Sequence, residues 1–371
     1  MNSSADLVTS PSTTGTSPGP EQPGRGLKLP GAEQLAAGIR SRGVVVIWLA
    51  LVAFFAFWAG PSFLTPANAG LVANSAATTA LFGGAIGICL LSGALDLSVP
   101  GTAALAGMVA AQLLAAGTPV VVVVMAAVAI GAVVGLVNAV LIQLGLNALA
   151  TTVGMLTVTG GVASVISGNQ AVVLNLPSEL AWLGLDRYWG IPAPVVVVAV
   201  VFLLGWFLLT KTFIGARLLA VGGNPDGARR AGLRVPQYRM LGLVLSGVFA
   251  AIGGLTVTAV ISQANPTPDT GQLFQAMTAV ALSGISFAGG RGHLLRVLFG
   301  ALVIATVNSG LIIRGLDPSW ATLATGVLLV GALAFDRFSS HLLAVFGPDA
   351  RRSRAQRRDL SSKGAADVPA E

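Results

Sequence analysis

Ten runs of mainly apolar residues succeed one another along the chain, at about 43–63, 71–92, 100–117, 119–143, 148–167, 191–210, 240–262, 272–288, 296–313 and 319–336. Each approaches the ~20 residues an α-helix needs to cross a bilayer. The third and eighth are short and rich in small residues, and are expected to be broken or tilted. Neither terminus continues the pattern. Residues 1–30 are Ser, Thr, Pro and Gly rich, with no signal-peptide apolar stretch, and residues 351–371 are polar, basic at first and then mixed. Such compositions bury too little apolar surface to fold. The expected fold is all-α: a polytopic bundle of about ten transmembrane helices at 41–338, between two disordered cytoplasmic tails.

Basic residues orient the bundle. With the N-terminus inside and the runs alternating, 19 of the 21 Lys and Arg fall in internal segments, and only Arg187 and Arg314 fall outside. Internal segments of membrane proteins carry this excess. Trp58, Trp182, Trp189 and Trp320 then lie near outer ends of spans, and Trp48, Trp206 and Tyr238 near inner ends. Aromatic rings favour both interfaces; the plain alternative for each is packing.

Composition narrows the class. Charged residues make up 9% of the chain and hydrophobic ones 54%, against roughly 25% charged in a soluble domain. The net charge of +7 sits in short loops, which argues against nucleic-acid binding. One cysteine, Cys89, excludes a disulfide framework and a cysteine metal cage, and His293 and His341 have no spaced partners.

Two connecting segments are long. The external loop, 168–190, contains Asn175, Pro177, Glu179, Asp186 and Arg187, and has room for a surface helix that meets an external partner. The internal loop, 211–239, carries a compact helix grammar. Asn224 suits an N-cap and Pro225 the first helical position. Asp226 and Arg229–Arg230 oppose the helix dipole, and Gly232 suits a left-handed C-terminal cap. A short stiff helix tethered to a span on each side could pass a motor's displacement into the bundle. Its bland alternative is a basic loop that only sets topology. Leu91-Ser92-Gly93 recurs as Leu282-Ser283-Gly284, and Asn138-x-x-Leu141-Ile142 as Asn308-x-x-Leu311-Ile312; duplicated halves are common in transporters.

The stretch from Thr212 to Pro225, continuing through Ala228-Arg229-x-Ala231-Gly232-Leu233-x-Val235, resembles the cytoplasmic coupling loop of ribose-type ABC sugar permeases. Gly93-Ala94-Leu95-Asp96-Leu97-Ser98-Val99, Gly135-Leu136-Val137-Asn138-Ala139-x-Leu141-Ile142 and Ser286-Phe287-Ala288-Gly289-Gly290-Arg291-Gly292 resemble three further motifs of that family, in its order, over about residues 70–335. The chain departs from the pattern at Pro100, where the family has Gly. It departs again at Leu273-Phe274-Gln275, where the family has Glu-Leu-Asp, and at Ser283-Gly284, where it has a Gly pair. The resemblance implies a bacterial plasma-membrane permease subunit importing a small neutral sugar-like solute. It implies two permease copies, identical or related, together with a separate cytoplasmic ATPase subunit and an extracytoplasmic solute-binding protein. Gly222, Asn224, Pro225, Ala228, Arg229 and Gly232 would couple to the ATPase.

No phosphate-loop motif is present, so ATP hydrolysis is assigned elsewhere, and no cofactor or metal is expected. Asp96, Ser98, Asn138, Thr151 and Asn308 are the translocation-path candidates, with Thr152, Thr157 and Thr159 beside them. For each the alternative is helix-to-helix glue, and for Asp96 either a solvated acid at a helix start or an anchor for a broken helix beside Pro100. Three other readings remain. A cation-coupled secondary transporter would need ionisable residues along a relay, and no Lys, Arg or Glu falls mid-span. An intramembrane enzyme would need a catalytic cluster. An ABC permease for a nucleoside or amino acid shares the architecture.

Overall fold

Small residues decide which helix sits at the centre. Of the seven helices long and apolar enough to cross a membrane among the described residues, Pro66–Leu91 is the least hydropathic and Val120–Gln143 the most. Yet 83% of the apolar stretch of Pro66–Leu91 is buried, against 28% for Val120–Gln143 and 6% for Pro318–Phe335. Lipid is as apolar as leucine, so burial in a bilayer selects close-packing Gly, Ala, Ser and Thr, and bulky Val and Leu are left to face lipid.

The structure, a computed structural model, describes residues 32–174, 187–188 and 191–346, with side chains at 43–174 and 191–335. Most of the external loop, including Asn175 to Asp186, and both expected tails beyond these bounds lie outside the described residues; residues 32–40, expected within the disordered N-terminal tail, are helical instead. The chain divides after Ser41 into two units; everything below concerns the second. Helices α1 (Ala32–Trp58), α2 (Pro66–Leu91), α3 (Val99–Ala115), α4 (Val120–Gln143), α5 (Ala148–Ser167) and α6 (Ala193–Lys211) lead into two short ones, α7 (Phe213–Gly223) and α8 (Pro225–Arg230). Then follow α9 (Val235–Ile261), α10 (Thr270–Leu282), α11 (Arg296–Ile313) and α12 (Pro318–Phe346). All ten apolar runs therefore hold a helix. The two short runs became α3, 17 residues, and α10, 13 residues. At 1.5 Å per residue α10 reaches about 20 Å, less than the ~30 Å hydrocarbon layer.

Helix α2 packs against α9, α11 and α10, and α9 also against α3 and α4. Gly131 and Gly135, one turn apart on α4, set the α4–α9 distance. A Cβ at Gly135 would stand 2.7 Å from the Val244 Cα, and one at Gly131 would strike the Gly247 carbonyl. Helix α3 runs alongside α9, with Ala103 against Gly254 and Gly107 against Thr258. The bundle has a basic end, carrying the turns after α2, α4 and α10 and the whole α7–α8 segment, and a far end. At the far end strand β1 (Val172–Val173) pairs antiparallel with β4 (Gln263–Ala264), joining the segment after α5 to the segment after α9. A second two-residue pair joins β2 (Arg187–Tyr188) to β3 (Ile191–Pro192).

Aromatic rings meet basic side chains near both ends of the bundle, while Trp182 and Trp189 lie outside the described residues. Arg314 stacks over Trp58 at 5.5 Å at the far end, and Lys211 over Trp206 at 5.5 Å at the basic end. Trp48 instead packs: its Nε1 donates to Thr306 of α11 at 3.2 Å.

Candidate functional site

The long basic loop folds as a bracket of two helices rather than one. Thr212 caps α7, its Oγ1 accepting from the Gly215 N–H at 3.2 Å. Asn224 caps α8, its Oδ1 accepting from the Gly227 N–H at 2.8 Å, and Pro225 opens the helix. Gly232 takes the left-handed conformation, φ 82°. The expected α8 helix is therefore present with its caps, and α7 is the addition. Asp226 and Arg229 are 3.2 Å apart but both exposed, so their pairing contributes little. Ala228 is buried among Val221, Leu233 and Val235, which locks α8 onto the end of α7 and the start of α9.

Three motifs that are far apart in sequence meet where α7 ends. Gly222 presses on the Leu91 carbonyl, where its Cβ would also stand 2.9 Å from the Leu91 carbonyl carbon and 3.0 Å from the Gly290 nitrogen. Gly93 (φ 77°) faces the Gly222 Cα across 3.0 Å, measured to a would-be Cβ. Gly289 (φ 95°) and Gly290 (φ 66°) pack on Gly222 and Gly223. Backbone meets backbone at every one of these contacts, with no side chain to give way. The node joins the α7–α8 bracket to the turn after α2 and the turn after α10.

Those two turns share a construction. Ser92 Oγ donates to the Cys89 carbonyl at 2.6 Å, and Ser283 Oγ to the Val280 carbonyl at 2.6 Å. Gly93 and Gly284 follow at φ 77° and 76°. The Leu-Ser-Gly echo is thus a repeated helix stop. The Asn138/Asn308 echo has no such counterpart. Asn138 Nδ2 donates to Ser98 Oγ at 2.9 Å, whereas Asn308 makes no side-chain hydrogen bond among the described residues; the buried Oδ1 of each has no partner there.

Between α2 and α3 the chain runs inside the protein. Asp96 is 1% exposed. Its Oδ1 accepts from the Ser98 N–H at 2.9 Å and the Ser98 hydroxyl at 2.6 Å, and its Oδ2 accepts from Ser246 Oγ of α9 at 2.8 Å. The solvated-acid alternative for Asp96 is corrected: the carboxylate anchors the broken passage from α2 into α3, because an unpartnered buried carboxylate would be too costly. Asp96, Ser98, Asn138 and Ser246 form one cluster spanning the α2–α3 passage, α4 and α9. Ser246 carried no sequence motif and was missed. Thr151, Thr152 and Thr159 donate to the Asn147, Ala148 and Met155 carbonyls of their own helix at 2.8, 3.0 and 2.7 Å. Thr157 does likewise to Val153. Asn308 lies toward the far end, where its neighbour Ser309 donates to Asn68.

Residues 68–333 match the family described as branched-chain amino acid transport system / permease component. The chain is 31% identical over 280 residues to the ribose import permease protein RbsC of Escherichia coli (strain K12), covering 74% of this chain and 87% of that protein. To the D-allose transport system permease protein AlsC of the same strain it is 31% identical over 300 residues, covering 80% and 92%. To the L-arabinose ABC transporter permease protein AraH of Azospirillum brasilense it is 33% identical over 307 residues, covering 81% and 88%. No solved structure matches. With its apolar helices, its motifs and a match running through nearly the whole bundle, the chain belongs to this family of ABC transporter permease components, as a multi-pass protein of the bacterial plasma membrane.

Proposed function

We propose that the chain is the membrane-spanning subunit of an ABC importer that carries a small neutral sugar-like solute into the cell on ATP hydrolysed by a separate subunit. The observation that carries this reading is the glycine node. A stiff bracket outside the bundle touches, backbone to backbone, the two turns that interrupt it. A push on α8 is then a push on the starts of α3 and α11. The names of the relatives, permeases for ribose, allose and arabinose, support the substrate class.

On this reading the basic end is cytoplasmic, all ten helices cross or enter the bilayer, and residues 1–40 and 339–371 are cytoplasmic tails. An ATPase subunit grips α8 around Asn224, Pro225, Arg229 and Gly232, while Gly222 and Ala228 transmit from beneath. An external binding protein docks at the far end, and a second permease completes the pathway. Asp96, Ser98 and Asn138 form an uncharged-ligand step, since the one carboxylate is fully engaged. Thr151 bonds its own helix, and it and Asn308 stand apart from this step.

Uptake of labelled D-ribose, D-allose or L-arabinose is expected to survive a protonophore while cellular ATP is maintained, and to stop when ATP is removed. Unlabelled L-leucine should not compete, which separates the sugar reading from the amino-acid one. Collapse of uptake with the proton gradient at constant ATP would instead assign a secondary transporter.

Orientation has its own check. In a Cys89→Ser background, Ala116→Cys, exposed in the turn after α3, is expected to react with an impermeant thiol reagent applied outside. Arg230→Cys, exposed on α8, should react only once the membrane is opened. Ala228 is too buried to serve as the inner site. Equal labelling from outside would reverse the assignment.

A further inference from the structure

At the far end a cavity of about 180 Å3 descends between α2, α3, α9 and the α9–α10 connection. It is smaller than the ~300–1,000 Å3 of sites for drug-sized ligands, and of a size for one small solute. Its floor is apolar: Phe82, Pro100 and Ala103. Its upper wall is polar, with Gln263, Asn265, Thr267, Asp269 and Gln272 following one another along the connection into α10. Two of these are already engaged with backbone. Asn265 Oδ1 accepts from the Thr267 N–H at 3.0 Å, and Asp269 Oδ1 caps α10 by accepting from the Gln272 N–H at 3.2 Å. The half-buried side-chain amides of Gln263 and Gln272 make no hydrogen bond among the described residues, and each offers a donor and an acceptor to the cavity.

The lining selects among ligand classes. It contains one carboxylate and no Lys or Arg. A zwitterionic amino acid would bring a carboxylate and an ammonium that both need partners in a partly dry site, and no basic side chain is there to receive the carboxylate. A polyol brings only hydroxyls, each of which can both donate and accept, together with a C–H face that suits Phe82 and Pro100. The floor also has a place in the chain. Pro100 is the second residue of α3, two residues after Ser98, so the cavity ends just above the cluster of Asp96, Ser98, Asn138 and Ser246.

We infer that this cavity is a binding site on the permease itself for a single neutral polyol of monosaccharide size, with the Gln263 and Gln272 amides as its recognition groups and Pro100 as its floor. The inference rests on the proposed importer function and adds to it a solute site in this subunit, distinct from that of an external binding protein. The solute rests there after release, before α3 moves aside.

The test uses the full chain assembled with its ATPase and binding protein in proteoliposomes, with D-ribose, D-allose and L-arabinose as probes. Gln272→Phe fills the cavity. Uptake of the transported sugar is expected to fall about tenfold or more, a loss of one strong interaction's worth of binding. ATPase stimulation by the loaded binding protein is expected to stay within about twofold. Uptake that stays near wild type, or parallel loss of both activities, would overturn the site. A second variant does not depend on filling the cavity. In a Cys89→Ser background, Gln272→Cys is expected to react with an impermeant maleimide from outside, more slowly with millimolar amounts of the transported sugar and at an unchanged rate with L-leucine. Wild-type uptake of a sugar that leaves Gln272→Cys unprotected overturns the site and leaves the importer reading standing. Absence of wild-type uptake for all three sugars overturns both.

Discussion

Gly222→Ala is expected to lower uptake by about 30-fold, whereas Gly223→Ala, one residue on, is expected to stay within about twofold of wild type. A single methyl at Gly222 enters the space of the Leu91 carbonyl on one side and stands 3.0 Å from the Gly290 nitrogen on the other. Both neighbours are main chain, so relief requires that α7 separate from the turns after α2 and α10. Overpacking of this kind costs on the order of 2 kcal/mol, which corresponds to the ~30-fold effect. At Gly223 the same methyl meets nothing closer than 3.9 Å. Membrane insertion should be unchanged in both variants, because the apolar helices are untouched. ATPase activity measured with the assembled complex should lose its response to loaded binding protein in Gly222→Ala alone. Equal behaviour of the two alanines, in uptake and in ATPase response, would reduce the node to ordinary loop packing.

Asp96 divides two substitutions of similar size even more widely. Asp96→Leu strands the Ser98 N–H, the Ser98 hydroxyl and the Ser246 hydroxyl without an acceptor in a site that is 1% exposed. Each buried polar group left unpaired costs about 1–3 kcal/mol, so three of them approach the whole stability of a typical domain, about 5–15 kcal/mol. Little folded protein should be recovered in detergent. Asp96→Asn keeps an oxygen for Ser98 and gives Ser246 a donor to accept from, after its hydroxyl rotates. This variant is expected to fold, to keep uptake within about fivefold of wild type, a loss near 1 kcal/mol, and to keep the pH dependence of wild-type uptake. An Asn variant that is well folded but inert, or whose pH profile moves, would mean that the carboxylate's charge takes part in transport.

Much of the bundle could be read from the residues because bilayer physics leaves few choices. Ten apolar runs gave ten helices, and the two short runs rich in small residues gave the short α3 and α10. The cap grammar of α8 was equally legible, since Asn, Pro and Gly occupy positions that local backbone geometry alone dictates. Helix α7 was not, although Thr212 caps it just as well, because its apolar Leu218 and Val221 read as part of a loop until they are seen buried. Long-range convergence was the main omission. Gly93, Gly222 and Gly290 were each visible as members of separate motifs, but nothing in their spacing says that they touch. Ser246 and the polar run Gln263–Gln272 belong to no motif, and their meaning comes only from what α2, α3 and α4 bring beside them. Ala228, read as part of the exposed coupling surface, is buried beneath it.

The small-residue character of α2 bears on how the protein is made. Of the seven long helices it has the weakest claim on the lipid, yet it precedes the other six in the chain and lies in the middle when assembly is complete. Its closest companions, α9, α10 and α11, emerge more than 140 residues later. During that interval Gly83, which packs on Ala276, Val280 and Val297 of α10 and α11, has only lipid or an insertion factor against it. Biogenesis is therefore staged: the chain must hold a poorly anchored helix in place until α9 arrives to close over it.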